Sequence, residues 1–87
     1  MSQLSKLPNI GKSLEQQLKE VGIGTIEQLR ETGSKQCWLK IKAIDASACI
    51  NRLYALEGAI QGVRWHYLSD EIKNHLKDFY TVNTSLK

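Results

Sequence analysis

Long apolar runs are missing from this 87-residue chain. Nowhere do roughly 18 apolar residues follow one another, and the opening MSQLSKLPNI has no apolar signal-peptide core. A soluble, cytoplasmic protein is the expectation. Cysteine is scarce: Cys37 and Cys49 stand in neither CxxC nor Cys/His spacing, which argues against a metal site and a disulfide framework. Both read as buried free thiols, since a bridge between them would need two adjacent helices to bring them together. His66 and His75 are not spaced with carboxylates or thiols as a ligand set, and each reads as a surface or interface residue. No Gly-rich phosphate loop occurs, and no Ser or Cys has a base nearby in sequence. The inventory therefore predicts no catalytic residues, no cofactor and no small-molecule substrate. Strand alternation of useful length is absent as well.

What is present is helical. With 41 % hydrophobic residues the chain suffices for one small domain, burying roughly 60–70 % of its unfolded surface. Leu4 and Leu7 fit one or two turns over residues 2–7. Leu14, Leu18 and Val21 predict a helix over residues 11–21, ended by Gly22 in the left-handed conformation. Thr25 and Gln28 make a capping box opening the next helix, to Glu31 or Thr32, with Ile23, Ile26 and Leu29 inward. Gly33 stops it and Ser34 is the expected N-cap of a helix whose stripe is Cys37, Trp38 and Ile41. That spacing favours Trp38 as core rather than as a base-stacking platform. Asp45 reads as the N-cap of the longest helix, residues 46–61, with Gly62 past its end. Gly58 lies inside it at a cost of about 1 kcal/mol, compensated if Trp65, Tyr67 or another helix packs close. Glu57 in the same helix is exposed, or paired with Arg52 or Arg64. The segment VRWHYL caps the open end of the core. Ser69, Asp70 and Glu71 open a last helix that buries Ile72, Leu76, Phe79 and Tyr80. The fold class is all-α, a compact bundle of about five short helices forming one domain over residues 1–80, with residues 81–87 a frayed tail.

The most informative stretch is LPNIGKSLEQQL, residues 7–18. Pro8 cannot continue a helix, Gly11 takes positive φ freely, and Asn9 tolerates it. A tight turn then feeds a helix whose first N–H groups lack partners, a potential phosphate site beside Lys12. These residues resemble the helix-hairpin-helix motif of DNA-binding proteins at Leu7, Pro8, Ile10, Gly11 and Leu18. Asn9 stands where that motif usually has its first Gly, and Glu15 where it often has a small residue. The resemblance implies sequence-independent phosphate binding.

A second resemblance spans residues 4–80. LYALEGAIQGVRWHYL, preceded by Asn51 and Arg52, and LPNIGKSLEQQLKEVGIGTIEQLRETG are similar to the TfoX C-terminal domain family, including its hairpin Asn. This implies a helical domain of helix-hairpin-helix or SAM-like type, in a family whose longer members regulate bacterial competence and carry a separate N-terminal domain. It implies no catalytic residues.

Charge is unevenly spread: residues 1–33 balance, residues 34–66 carry +3, and the rest cancels. Two functions from different classes follow. The first is weak nucleic-acid binding by Asn9, Gly11, Lys12 and Ser13, with charge from Lys6, Lys35, Lys40 and Lys42. The alternative is a protein-interaction module, adaptor or homodimer, docking through Trp65, His66 and Tyr67. A membrane partner is not expected.

Overall fold

The computed structural model describes residues 4–84. A 3₁₀ turn at Leu4–Lys6 leads into five helices: α1 (Lys12–Glu20), α2 (Ile26–Thr32), α3 (Ser34–Ile44), α4 (Ile50–Gln61) and α5 (Asp70–Thr84), with a second 3₁₀ turn at Trp65–Tyr67 before α5. No strand occurs among the described residues. The all-α expectation is met.

The stop signals act as their chemistry dictates. Gly22 at φ 90° lets the Ile23 amide reach back to Leu18 O and its own amide to Lys19 O, the paired bonds that close an α-helix C-terminus. Thr25 Oγ1 accepts from the Gln28 amide at 3.1 Å while Gln28 Oε1 accepts from the Thr25 amide at 3.2 Å, completing the capping box of α2. Gly33 ends α2 at φ 85° and serves as N-cap of α3. Ser34 therefore lies one residue inside, where its hydroxyl donates to Glu57 Oε1 at 2.6 Å instead of capping. Glu57 also accepts from Gln61, so its partners are neither Arg52 nor Arg64.

The core gathers one stripe from each helix around Trp38. Leu4, Leu18, Leu29, Trp38, Ile41, Leu53 and Leu56 have no exposed surface. Phe79 meets the Trp38 ring edge-on at 6.2 Å and Tyr80 approaches at 5.5 Å, so α5 closes over α3 through aromatic contacts. The indole N–H donates to Cys49 O at 3.1 Å, satisfying the polar atom that burial would otherwise strand. Trp38 is core.

Further expectations fail locally. Helix α4 begins at Ile50 rather than residue 46, because the Asp45 carboxylate is taken by the Ser47 amide and hydroxyl in a turn of its own, and by Arg52 at 2.9 Å. The longest helix is accordingly α5, with 15 residues against 12 in α4. It includes residues 81–84, where Asn83 and Thr84 side chains donate to the Phe79 and Tyr80 carbonyls, whereas residues 85–87 of the expected tail lie outside the described residues. Finally, only Cys37 is buried; Cys49 lies at the α4 N-terminus and is exposed. Burial pushes the Cys37 thiol up to about 11, with the Lys40 charge working the other way.

Candidate nucleic-acid interface

The hairpin is a short chain of backbone bonds with one inverted residue. The Leu7 amide donates to Leu4 O and the Ile10 amide to Leu7 O, while Asn9 alone among the non-glycine residues described takes positive φ, 71°. Gly11 is extended at φ −92° and does not use the freedom expected of it. The left-handed position of the turn belongs to Asn9.

What holds Asn9 there is its side chain. Nδ2 donates to Val63 O at 2.9 Å and lies 3.5 Å from Ala55 O, and Oδ1 accepts from the Trp65 amide at 3.2 Å. These partners are available because Gly62 at φ 76° turns the chain out of α4. A methyl group on Gly58 would stand 2.5 Å from Asn9 Nδ2, 2.8 Å from Val63 O and 3.1 Å from Trp65 Cα. Gly58 thus makes room for the bracket: what approaches it is the Asn9 amide with the Val63 and Trp65 backbone, rather than the aromatic ring or neighbouring helix expected there. The amide of Asn9 faces the protein and is spent on this joint.

The residues left outward are Gly11, Lys12 and Ser13, all exposed. No side chain caps α1, and nothing lies within 4 Å of where a Gly11 Cβ would stand. The first amides of α1 thus have no side-chain cap, and the exposed Lys12 is the first residue of the helix, an arrangement that suits an anionic oxygen. Lys6, exposed at the end of the first 3₁₀ turn, adds charge to the same hairpin. Glu15 Oε2 accepts from the Ser5 amide at 3.2 Å, which draws its carboxylate back against the preceding turn.

The α3 lysines do not gather into one patch. At 3.6 residues per turn, Lys40 stands about 140° round the helix from Lys35. Lys35 is half-buried against α5, its ammonium touching His75 Nε2 and lying 5.5 Å from the Phe79 ring centre. Lys42 donates to Ala46 O at 2.7 Å, and Lys40 is exposed. A groove between the α2–α3 junction and α5 runs beside Lys35, but Glu57 in its wall already accepts from Ser34 and Gln61.

On the far side of the Asn9 bracket stands an aromatic step. Trp65 is half-buried, stacked on Tyr54 at 5.6 Å and 20° and on His66 at 4.1 Å and 24°. Lys73 donates to His66 O and holds its ammonium 5.9 Å from the Trp65 ring centre. Tyr67 is 79 % exposed. Tyr54 and Lys73 escape a reading of the sequence because they come from different helices and meet only once α4 and α5 are packed.

The TfoX C-terminal domain description matches residues 1–80 of the chain. The chain belongs to that family. It is 42 % identical over 60 residues to Protein Sxy of Escherichia coli (strain K12), a stretch covering 69 % of this chain and 29 % of that protein. The chain thus spans less than a third of the curated relative it matches. A triclinic crystal structure of an uncharacterized Listeria monocytogenes protein superposes with a TM-score of 0.91 at 51 % identity, covering 92 % of this chain and 91 % of that one. A tetragonal form of a Listeria monocytogenes protein of unknown function gives 0.90 and 51 %, covering 92 % and 98 %. Among the described residues no helix is long and apolar enough to cross a membrane.

Proposed function

We propose that this TfoX C-terminal domain is a non-enzymatic, competence-related regulatory module that associates with DNA through its hairpin, holding backbone phosphate without reading sequence. The observation that carries this reading is the uncapped start of α1, exposed beside Lys12 and braced from behind by Asn9. A brace matters because oriented amides bind an anion best when they need not reorganise to do so. Competence regulation enters from the family, and the phosphate site from the geometry.

The test is binding of labelled duplex DNA at low and moderate salt by wild type, Lys12→Glu and Gly11→Ala. Lys12→Glu reverses the charge at the site and abolishes binding. Gly11→Ala fits the extended backbone and changes stability by less than about 1 kcal/mol, yet it puts a methyl group where the phosphate approaches and weakens binding. Retained binding in both variants would leave the hairpin a structural joint. A protein-docking role draws on one observation, the exposure of Tyr67, and predicts partner binding that Lys12→Glu leaves intact.

A further inference from the structure

We infer that the aromatic step beside the hairpin stacks an unpaired base, so that the DNA this domain prefers is single-stranded. The inference rests on the phosphate-holding reading of the hairpin and adds to it the class of nucleic acid bound. Asn9 carries the argument, because one side chain ties the two features together: it forms the hairpin turn and accepts from the Trp65 amide at 3.2 Å. Gly11 and Lys12 follow Asn9 in the chain on one side of that bond, and His66 and Tyr67 follow Trp65 on the other. A phosphate site and flat rings are thereby fixed in one neighbourhood, the combination that single-strand binders use: a charged track for the backbone and aromatic faces for the bases.

The step is built for flat partners. Tyr54, Trp65 and His66 already stack ring on ring, within 24° of parallel, which gives the exposed end a rigid backing. Tyr67 follows His66 in the same 3₁₀ turn and is 79 % exposed. Two cations flank the rings, Arg64, which precedes the step and is exposed, and Lys73, whose ammonium is held over Trp65; Asp70 and Glu71 open α5 just beyond. Asp70, one turn before Lys73, sits in the first turn of α5 where its charge complements the helix amides. A duplex keeps its bases paired and offers these rings nothing to stack on, whereas every base of a single strand presents a π face. Stacked rings, a cation held against one of them and the charged Arg64 beside them favour this occupant over an apolar protein segment.

The experiment is anisotropy titration of labelled oligothymidylate and of a hairpin duplex at low salt, with wild type, Lys12→Glu, Tyr67→Ala and Tyr67→Phe. Wild type binds the single strand more tightly than the duplex. Tyr67→Ala weakens single-strand binding by roughly 5- to 100-fold, the range for one lost base stack, and leaves duplex binding unchanged; Tyr67→Phe keeps the ring and the affinity. Circular dichroism checks the fold, which an exposed side chain should not disturb. A second readout is tryptophan emission: oligothymidylate quenches half-buried Trp65 and not fully buried Trp38, so Trp65→Phe removes the quenching. Duplex binding lost in Lys12→Glu, with single-strand binding indifferent to Tyr67→Ala, would overturn the base-stacking inference and leave the phosphate reading standing. Absence of binding to either probe would overturn both.

Discussion

Asn9 does at once two things that usually fall to different residues. It takes the left-handed backbone position of the turn, and its amide closes the joint between the hairpin and the chain leaving α4. Asn9→Ala loses both, adding backbone strain and stranding a half-buried carbonyl and amide, and should destabilise the domain by about 2–4 kcal/mol. Asn9→Gly relieves the strain but not the lost bonds and should cost about 1–2 kcal/mol, the order of the two being read from denaturant midpoints. Positive φ at Asn9 was legible from residue type alone. Its long-range partners were not, because nothing local in Val63 or Trp65 announces a contact more than fifty residues back in the chain. The cysteines divide in the same way: an apolar neighbourhood suggested burial for both, yet the early turn at Asp45 delays α4 and leaves Cys49 outside. Native protein should therefore titrate one thiol with a small disulfide reagent, Cys49, and a second, Cys37, only in denaturant, since burial keeps that thiol protonated up to about 11.

At the scale of elements, starts and stops were legible wherever a local bond enforces them, as at Gly22, at Thr25 with Gln28, and at Gly62. Asp45 shows why the rule failed once. As an N-cap it would have bonded the amides of a helix beginning at residue 46, but Ser47 offers a hydroxyl as well as an amide, while Gln17 of α1 and Arg52 of α4 supply further donors. The outcome is a clasp joining α1, the end of α3 and the start of α4. The Ser47 hydroxyl, then Arg52 and Gln17, hold the Asp45 carboxyl well below the usual carboxylate range. A depressed folded-state pKa means that this contribution is fully present above the unfolded value, about 3.9, and is lost as pH falls below it. The stability difference between wild type and Asp45→Asn should accordingly be constant from pH 7 to 5 and shrink below about pH 4, as thermal midpoints across that range would show. Midpoints that stay parallel down to pH 2 would contradict the clasp.

Across the whole molecule, charge is a weaker guide than the placement of amides. The net +3 of the sequence suggests a basic patch in its middle third, but Lys40 is turned about 140° from Lys35 round α3, Lys35 is held against His75 and Phe79, and Lys42, on the same face as Lys35, is tied to the Ala46 carbonyl. The cations the hairpin itself carries are Lys6 and Lys12, so a domain that binds through it should neutralise only one to three phosphates. Its DNA affinity should then fall with salt at a log–log slope of about −1 to −3, far shallower than that of a protein making many phosphate contacts. A slope near −6 would point to a broad basic surface that the packed helices do not form. If the amides at the start of α1 meet the phosphate, their own resonances must report it. A backbone amide NMR titration with short DNA reads them one by one. The predicted result is that the Gly11, Lys12 and Ser13 signals move first and furthest, saturate, and return when Lys12→Glu is substituted. Shifts confined to α3, or signals at residues 11–13 that stay fixed while DNA binds elsewhere, would contradict it.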